Sequence, residues 1–412
     1  EIEKFLGTDV FEQSLIISVI ANSKTSMTGA DVVIISYDLL SRRKQELEKI
    51  HFQCIIADES HYIKNHAALR TKVLLPVLKC ARRSILLTGT PALARPIELF
   101  TQAHALQPTI FKNRHSFAQR YCDRKQGPFG VDDTGASCLT ELHLLLEKVL
   151  MIRRLKKDVL KELPPKRRQE ITIEVPVVGA SRIRDLMKKL NCLRRAMEKG
   201  EGDLSTVHME HLSLFSELYR LSAEVKLDPV KNYILDWLES GEKLLVFAHH
   251  KAMLDGLQSA LQVQDVDHIR IDGATPPAHR ASLADRFRTD EKCQVALLGL
   301  TAAGTGLTLT PCSNVCFAEL HWTPGILLQA ENRVHRIGQQ NSVNIRFLLA
   351  GGTIDDLIWP AVQRKLAVVS EALNGAVADM RGESSIAPSA GNSSILDFFR
   401  ADEGFPSDVS DL

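Results

Sequence analysis

Two pairs of charged residues in this 412-residue chain have the types and spacing that phosphate chemistry needs. Arg333 and Arg336 lie three residues apart, and on a helix that spacing places both guanidinium groups on one face. A guanidinium offers fixed N–H donors and a permanent charge to phosphate oxygens and to a phosphoryl group in transfer. Asp58 and Glu59 directly follow a short apolar run, and parallel sheets gather ligands at the carboxyl ends of their strands. Alone, either pair also fits a charged surface helix or a strand-ending turn.

The residues around these pairs are more specific than the pairs themselves. Residues 329–339 read QAENRVHRIGQ, which resembles motif VI, QAEDRxHRIGQ, of the Snf-like DNA translocases of helicase superfamily two. Asn332 stands where that pattern has Asp. Residues 58–61, DESH, are followed by YIKN and resemble motif II of the same family, and residues 86–91, LLTGTP, resemble motif III.

The resemblance implies a DNA-dependent ATPase that uses ATP and Mg²⁺. Asp58 would hold Mg²⁺, directly or through water, and Glu59 would orient and deprotonate the attacking water. Arg333 and Arg336 would reach over to the nucleotide from a second lobe. The remaining nucleotide-binding positions that the resemblance implies are His61, Gln329, Gly304 and Gly306.

The second half of the chain carries further motifs of the family. Residues 244–257, 268–273 and 297–310 resemble motif IV, the following RxDG element and motif V. Glycine lets backbone approach a phosphate closely, and backbone N–H groups and hydroxyls suit a DNA phosphate without reading a base. The positions expected to couple the nucleotide to DNA are Thr88, Gly89, Thr90, Thr301 and Thr305.

A basic stretch at residues 151–168, MIRRLKKDVLKELPPKRR, lies between these groups of motifs. We call it the brace segment, because it resembles the family's link between its two motor lobes. The sequence predicts a helix that Pro164 and Pro165 end, with some of its cations free to meet phosphates. A solvated helix face is the alternative interpretation.

Short apolar runs alternate with charged, helix-periodic stretches such as 37–50 and 67–78, which predicts an α/β protein with parallel sheets. The resemblance makes these two RecA-like lobes with a helical linker. The predicted strands, expected to be buried, are 15–20, 32–37, 54–57, 85–87, 244–248, 268–271, 295–300, 315–318 and 344–349, with an isolated one at 171–177. The predicted domains are an incomplete first lobe (1–110), a linker with the brace segment (111–223), a second lobe (224–375) and a flexible tail (376–412).

Composition and net charge limit which partners and bound groups are expected. A net charge of +1 predicts that any DNA contact is local and not a bulk attraction. The eight cysteines are scattered, and Cys54 lies in an apolar run, which favours buried free thiols over disulfides or a zinc site. No apolar run approaches the ~18 residues of a membrane span, so no membrane partner is expected.

Residues 317–325 (FAELHWTPG) and 342–360 resemble the HARP-like annealing helicases, which rewind strands at replication forks in the nucleus. A nucleosome remodeller and a non-catalytic DNA- or clamp-binding scaffold remain alternatives. No G-x-x-x-x-G-K-[ST] loop is found and the chain begins at Glu1, so it is expected to be a fragment that alone binds ATP weakly or not at all.

The tail adds one partner. It resembles the sliding-clamp (PCNA) box Q-x-x-[ILM]-x-x-[FY]-[FY], with Asn392 in place of the glutamine, followed by Ile395, Phe398 and Phe399. Such a segment can fold on binding and insert its apolar side chains into a pocket.

Overall fold

The structure, a computed structural model, describes residues 16–22, 24–127, 130–199, 203–301 and 309–376. Its contacts divide the chain into two compact units. Unit 1 comprises residues 1–92 and 97–117, and unit 2 comprises residues 93–96 and 118–412. Each unit is described by itself below.

In the described part of unit 1, the strands form two parallel pairs, β1 with β2 and β3 with β4. Its elements are β1 (Ile17–Ile20), β2 (Val32–Ile35), α1 (Tyr37–Arg42), α2 (Lys44–Leu47), β3 (Cys54–Ala57), a 3₁₀ turn (Ser60–Ile63), α3 (Leu69–Cys80), β4 (Arg83–Leu86), a 3₁₀ turn (Pro96–Glu98, which begins in unit 2), α4 (Leu99–Leu106) and the start of α5 (Arg114–Tyr121). The predicted helix at 37–50 is broken at Arg43, whose backbone leaves the helical region at φ −113° and ψ 26°.

Unit 2 is built on a six-stranded sheet in the order β7-β12-β11-β8-β10-β9, and every neighbouring pair is parallel. Its elements after α5 are β5 (Lys125–Gly127), β6 (Gly130–Asp132), α6 (Leu139–Val149), α7 (Lys156–Val159), β7 (Lys166–Ile173), α8 (Val177–Lys199), α9 (Leu204–Leu238), β8 (Leu244–Ala248), α10 (Lys251–Val263), β9 (His268–Ile271), α11 (Pro277–Thr289), β10 (Val295–Gly299), β11 (Asn314–Phe317), α12 (Pro324–Val334), β12 (Val343–Ala350) and α13 (Asp355–Asn374).

The sheet of unit 2 has an apolar core on each face. Leu245 and Phe247 of β8 pack with residues of α8, α9, α12 and α13, while Leu244 and Val246 pack against α9 and α10. Successive strand residues point to opposite faces, so a strand that is covered on both sides reads as an unbroken apolar run. This is why the sequence located the central strands of this sheet almost to the residue.

The prediction was wrong for the strand at 171–177. The strand runs over Lys166–Ile173, where it pairs with Val343–Ala350, and Val177 already begins a helix. The charged residues at its start concealed it, because they belong to an edge strand with one side open to polar partners. The boundaries at residues 110 and 223 stay predictions, although β7 and α8 of the predicted linker are part of unit 2.

The brace segment is also less helical than predicted, because only Lys156–Val159 forms a helix. Leu160 leaves the helical region at ψ 70°, before the two prolines, and β7 begins directly after Pro165.

The expected burial of every strand was wrong for unit 1. Ile56 of β3 is 62% exposed and Ile34, Val19 and Ile85 are exposed as well, since one face of each short pair lacks cover among the described residues. Cys54 is exposed for the same reason. All eight cysteines are free thiols, of which Cys122, Cys293, Cys312 and Cys316 are buried.

Candidate active-site residues in each unit

The acidic turn after β3 holds the two predicted catalytic carboxylates of unit 1. Asp58 is exposed, and its Oδ1 accepts the Glu59 backbone N–H at 2.9 Å. Glu59 adopts a left-handed backbone, φ 47° and ψ 48°, which costs a non-glycine residue about 1 kcal/mol or more. The Ser60 N–H donates to the carbonyl of Leu87, the residue after β4, at 2.9 Å, and this bond holds the turn in place.

The same turn is tied to the threonines of the predicted motif III. The buried His61 ring places Nδ1 3.2 Å from Glu59 Oε2 and 3.3 Å from Thr88 Oγ1. Thr88 Oγ1 in turn accepts the Thr90 backbone N–H at 3.1 Å. A change at the carboxylate can therefore reach the 88–90 turn through one histidine, which fits the coupling role predicted for Thr88 and Thr90.

Two further side chains support this turn. Tyr37 donates its hydroxyl to the Asp58 carbonyl at 2.8 Å, and burial together with the negative charges of Asp58 and Glu59 raises the pKa of Tyr37. Ser60 donates to Gln102 Oε1 at 2.9 Å. The neutral tyrosine thus remains a donor throughout the physiological pH range.

The donor set of the turn fits Mg²⁺ bound together with a nucleotide. Asp58 has an exposed carboxylate of the hard oxygen type that Mg²⁺ prefers. In the described part of the chain no group of three or more His, Cys, Asp or Glu side chains could hold a metal by itself. One carboxylate is nevertheless enough where substrate phosphates and water complete the coordination.

In unit 2 the two predicted arginines do not share one helix. Helix α12 ends at Val334, because His335 turns the backbone to ψ 75°. Arg333 lies half-buried in the last turn, while Arg336 lies beyond the helix and is exposed. The prediction of one helical face was therefore wrong, and the segment after α12 sets the position of Arg336.

That segment is fixed at its far end. The Gln339 amide donates to the Thr310 and Cys312 carbonyls, both at 2.9 Å. The Arg333 carbonyl accepts the Leu309 N–H at 3.1 Å. Arg333 and the segment that carries Arg336 are thus bonded to residues 309–312, which form the end of the predicted motif V and the residues just after it.

Glu331 is a buried carboxylate with two cationic partners. Its carboxylate is 0% exposed, and Arg168 donates to it twice, Nε to Oε1 at 2.9 Å and Nη2 to Oε2 at 2.8 Å. Lys166 donates to Oε2 at 2.7 Å. Burial by itself raises the pKa of Glu331, but the two cations outweigh it and lower that pKa to about 2. The carboxylate is therefore ionised at every physiological pH.

The neighbouring residues also bind the brace segment. Lys156 donates to Asn332 Oδ1 at 2.8 Å and to the His335 carbonyl at 2.6 Å. His335 Nε2 lies 2.8 Å from the Pro164 carbonyl. Burial, and then repulsion from Lys166 and Arg336, lower the pKa of Lys156 to about 8.

Other predicted residues are placed as follows. Gln329 is half-buried on α12, Gly89 is exposed, and Thr301 is exposed beyond the end of β10. Gly304, Thr305 and Gly306 and the predicted clamp box lie outside the described residues.

The histidines near β8 have structural roles. Glu319, which is buried, accepts the backbone N–H groups of His249 and His250, both at 2.8 Å, and lies 2.6 Å from His250 Nδ1. Trp322 packs near His249 and Tyr219. These contacts join the turns that follow β8 and β11, at the carboxyl ends of these strands.

Comparison with known families adds to this geometry. A model described as SNF2-related domain matches residues 1–207, just over half of the chain. A second, described as helicase conserved C-terminal domain, matches residues 225–338. The chain belongs to the SNF2-related family.

Its relatives within the SNF2-related family are similar over most of the chain. "SWI/SNF-related matrix-associated actin-dependent regulator of chromatin subfamily A-like protein 1" of Xenopus tropicalis is 47% identical over 358 residues, which is 86% of this chain and 37% of the relative. "DNA annealing helicase and endonuclease ZRANB3" of Homo sapiens is 42% identical over 387 residues, 91% of this chain and 35% of the relative. The chain therefore spans a little over a third of the length of these relatives. The predicted resemblance to the Snf-like translocases and their annealing branch is confirmed.

Glu331, Lys166 and Arg168 of this SNF2-related chain were not predicted as a group. Glu331 was visible inside the motif, and the two cations were visible in the brace segment. Their pairing was not visible, because the partners are 165 and 163 residues apart in sequence. An acidic residue on an otherwise apolar helix face was the one signal that could have suggested it.

Proposed function

We propose that the full-length protein is an ATP-dependent DNA translocase of the annealing type, which rewinds or remodels forked DNA. The relatives support this, one of them being named a DNA annealing helicase. The observation that carries the proposal is the acidic turn, where Glu59 at the end of β3 is linked through His61 to Thr88. A scaffold would have no need for a strained carboxylate at that position.

The proposed chemistry is ATP hydrolysis. Glu59 accepts a proton from the attacking water, and its left-handed backbone and His61 hold the carboxylate in one orientation. Asp58 is the carboxylate that would bind Mg²⁺, which neutralises charge on the phosphates. Arg333 and Arg336 would stabilise charge on the transferring phosphoryl group, with Gln329 and His61 as further nucleotide contacts.

The proposed partner is DNA, held mainly by its phosphates, so binding should depend little on sequence and strongly on salt. Thr88, Gly89, Thr90, Thr301 and Thr305 are the proposed coupling positions, with Gly304 and Gly306 beside a phosphate. We further propose a nuclear location and sliding-clamp binding through Asn392, Ile395, Phe398 and Phe399. None of the helices within the described ranges combines the length and apolar character needed to cross a bilayer.

The test is ATP hydrolysis by the full-length protein with forked DNA, plain duplex or nucleosomes. We expect the largest stimulation by forks, and we expect Glu59→Gln to lower kcat by about 10²- to 10⁴-fold without loss of DNA binding. Glu48→Gln is the matched control, because that carboxylate of the same unit pairs with Lys44 where both side chains are about half exposed.

Each other outcome points to a specific alternative. Greater stimulation by nucleosomes would favour a remodeller. No hydrolysis by the wild-type protein with any of the three would favour a non-catalytic scaffold. Hydrolysis that survives in Glu59→Gln would show that the acidic turn is not the catalytic site.

A further inference from the structure

Two cations of the brace segment bind one buried carboxylate of α12. Lys166 and Arg168 lie two residues apart on β7 and therefore share one face of that strand. Both point at Glu331, which is fully buried, and together they make three short hydrogen bonds to its two oxygens. A carboxylate held by a two-pronged guanidinium and an ammonium is fixed in position and in orientation.

Fixing Glu331 also fixes the rotation of α12 about its own axis. At about 3.6 residues per turn, Arg333 lies roughly 200° around the helix from Glu331. A rotation at Glu331 would therefore move the Arg333 side chain on the opposite side of the helix. Glu331 is two residues from Arg333 and three from Val334, the last residue of α12, so little backbone separates the anchor from the arginine.

A second set of bonds fixes the segment that carries Arg336. Lys156 binds the His335 carbonyl and Asn332, while His335 approaches the Pro164 carbonyl. Gln339 holds the other end through Thr310 and Cys312. Arg336 thus lies in a short non-helical stretch that is fixed at both ends.

We propose that Glu331, together with Lys156, Lys166 and Arg168, is a positioning group that sets where Arg333 and Arg336 act. We call these bonds the brace–helix contact. Three cations of the brace segment are engaged by α12 and the residues after it, so their role is internal and not the binding of DNA phosphates. This inference rests on the proposed ATPase function for its kinetic part only.

The kinetic test uses the full-length protein and Glu331→Gln. Because the arginines act on the transition state, a misplacement should lower kcat by at least about tenfold. The KM for ATP and the Kd for forked DNA should stay within about twofold of wild type, since binding of the ground state is not the step affected.

The matched control is Asp355→Asn. Asp355 is also a buried carboxylate of unit 2 and accepts a bond from buried Lys226 at 2.7 Å, but its partners lie on α9 and β12. If the two variants lose stability to a similar degree, only Glu331→Gln should lose kcat at temperatures below unfolding. An equal loss of kcat in both would make Glu331 a merely structural residue and overturn the proposal.

Two milder changes cover the case in which Glu331→Gln does not fold. Lys166→Met removes one ammonium, and Lys166→Arg keeps the charge, so the first should lower kcat and the second should retain most of it. Lys156→Met should lower kcat as well, because it frees the His335 end of the segment. Unchanged kcat in both methionine variants would overturn the proposal.

Hydrogen exchange gives a measurement that does not depend on catalysis. Peptides that cover residues 335–339 should exchange faster in Lys156→Met and Lys166→Met than in wild type, while peptides of β8 should not change. If the wild-type protein hydrolyses no ATP, the proposed function fails, and this exchange pattern still decides whether the brace–helix contact exists. Unchanged exchange at 335–339 would overturn the contact itself.

Discussion

The strands of the two units differ in how they are covered. In unit 2, every residue of β8 and of β10 is buried, with apolar clusters on both faces of the sheet. In unit 1, β3 alternates between covered and exposed residues, so that Ala57 is buried while Ile56 is 62% exposed. The same kind of apolar run thus has two different environments in one chain.

The candidate functional residues of the two units are also held in different ways. The acidic turn of unit 1 rests on a strained backbone and on neutral hydrogen bonds from Tyr37 and to Leu87. The arginine segment of unit 2 rests on a buried carboxylate with two cationic partners. We infer that unit 2 positions its residues rigidly by its own contacts, while the turn of unit 1 is easier to displace.

The first prediction compares one core residue from each sheet. Leu245→Ala in β8, which removes a side chain that is 0% exposed, should lower the free energy of unfolding of unit 2 by about 2–5 kcal/mol. Ile56→Ala should change the stability of unit 1 by less than about 0.5 kcal/mol, because that side chain is largely in solvent. Hydrogen exchange of peptides from each unit, followed with denaturant, measures both. A cost of several kcal/mol for Ile56→Ala would mean that its face is covered, and the contrast between the sheets would fail.

The second prediction concerns the buried carboxylate. Glu331→Gln should destabilise unit 2 by about 3 kcal/mol at pH 7, the lower end for one lost partner of a buried pair. The lower end applies because the Lys166 and Arg168 side chains are 21% and 16% exposed and therefore partly solvated. Denaturant unfolding of wild type and variant measures it.

The contribution of Glu331 to stability depends on pH, and its direction follows from the pKa of this carboxyl. The folded pKa of Glu331, about 2, lies below its usual value of 4.5, so the unfolded state binds more protons between these values. The contribution is complete above pH 4.5 and is lost as pH falls through about 2, and Glu331→Gln should remove this part of the acid sensitivity. The surface variant Glu48→Gln in unit 1, where both partners of the ion pair are about half exposed, should cost less than about 1 kcal/mol at pH 7. Equal costs for the two variants would contradict the distinction between buried and surface charges.

The third and smallest effect concerns Asn332, where the family pattern has Asp. Asn332→Asp would place a carboxylate beside Lys156 and raise its pKa from about 8 towards its usual 10.5. Because the unfolded state binds more protons between those values, this lysine makes stability rise with pH from about 8 to 10.5 in wild type. The variant should flatten that rise, with a change of less than about 1 kcal/mol. Titration of Lys156 by NMR measures it, and Asn341→Asp, at an exposed position of the same unit, should leave the Lys156 pKa unchanged.

Much of the fold follows from local sequence, and the failures have physical causes. The run at 244–248 was located to the residue, because a strand buried on both faces must be apolar throughout. The run at 268–271 was located to the residue as well, although its strand lies at an edge of the sheet and only Ile269 and Ile271 are buried. The strand at Lys166–Ile173 was misplaced, because an edge strand can begin with charged residues whose partners come from another element. The helix expected to carry both arginines ended early, because long-range bonds to His335 oppose its continuation.

The sequence by itself determined the chemistry of the candidate site. The order and types of Asp58, Glu59, Arg333 and Arg336 depend on local strings, and local strings can be recognised without knowing where they lie in space. Tertiary structure alone decided which charges meet, that Glu331 is buried against Lys166 and Arg168, and that Arg336 lies beyond its helix. The reason is that ion pairing and burial depend on distance in space, and parallel β7 and β12 bring together residues more than 160 positions apart in the chain.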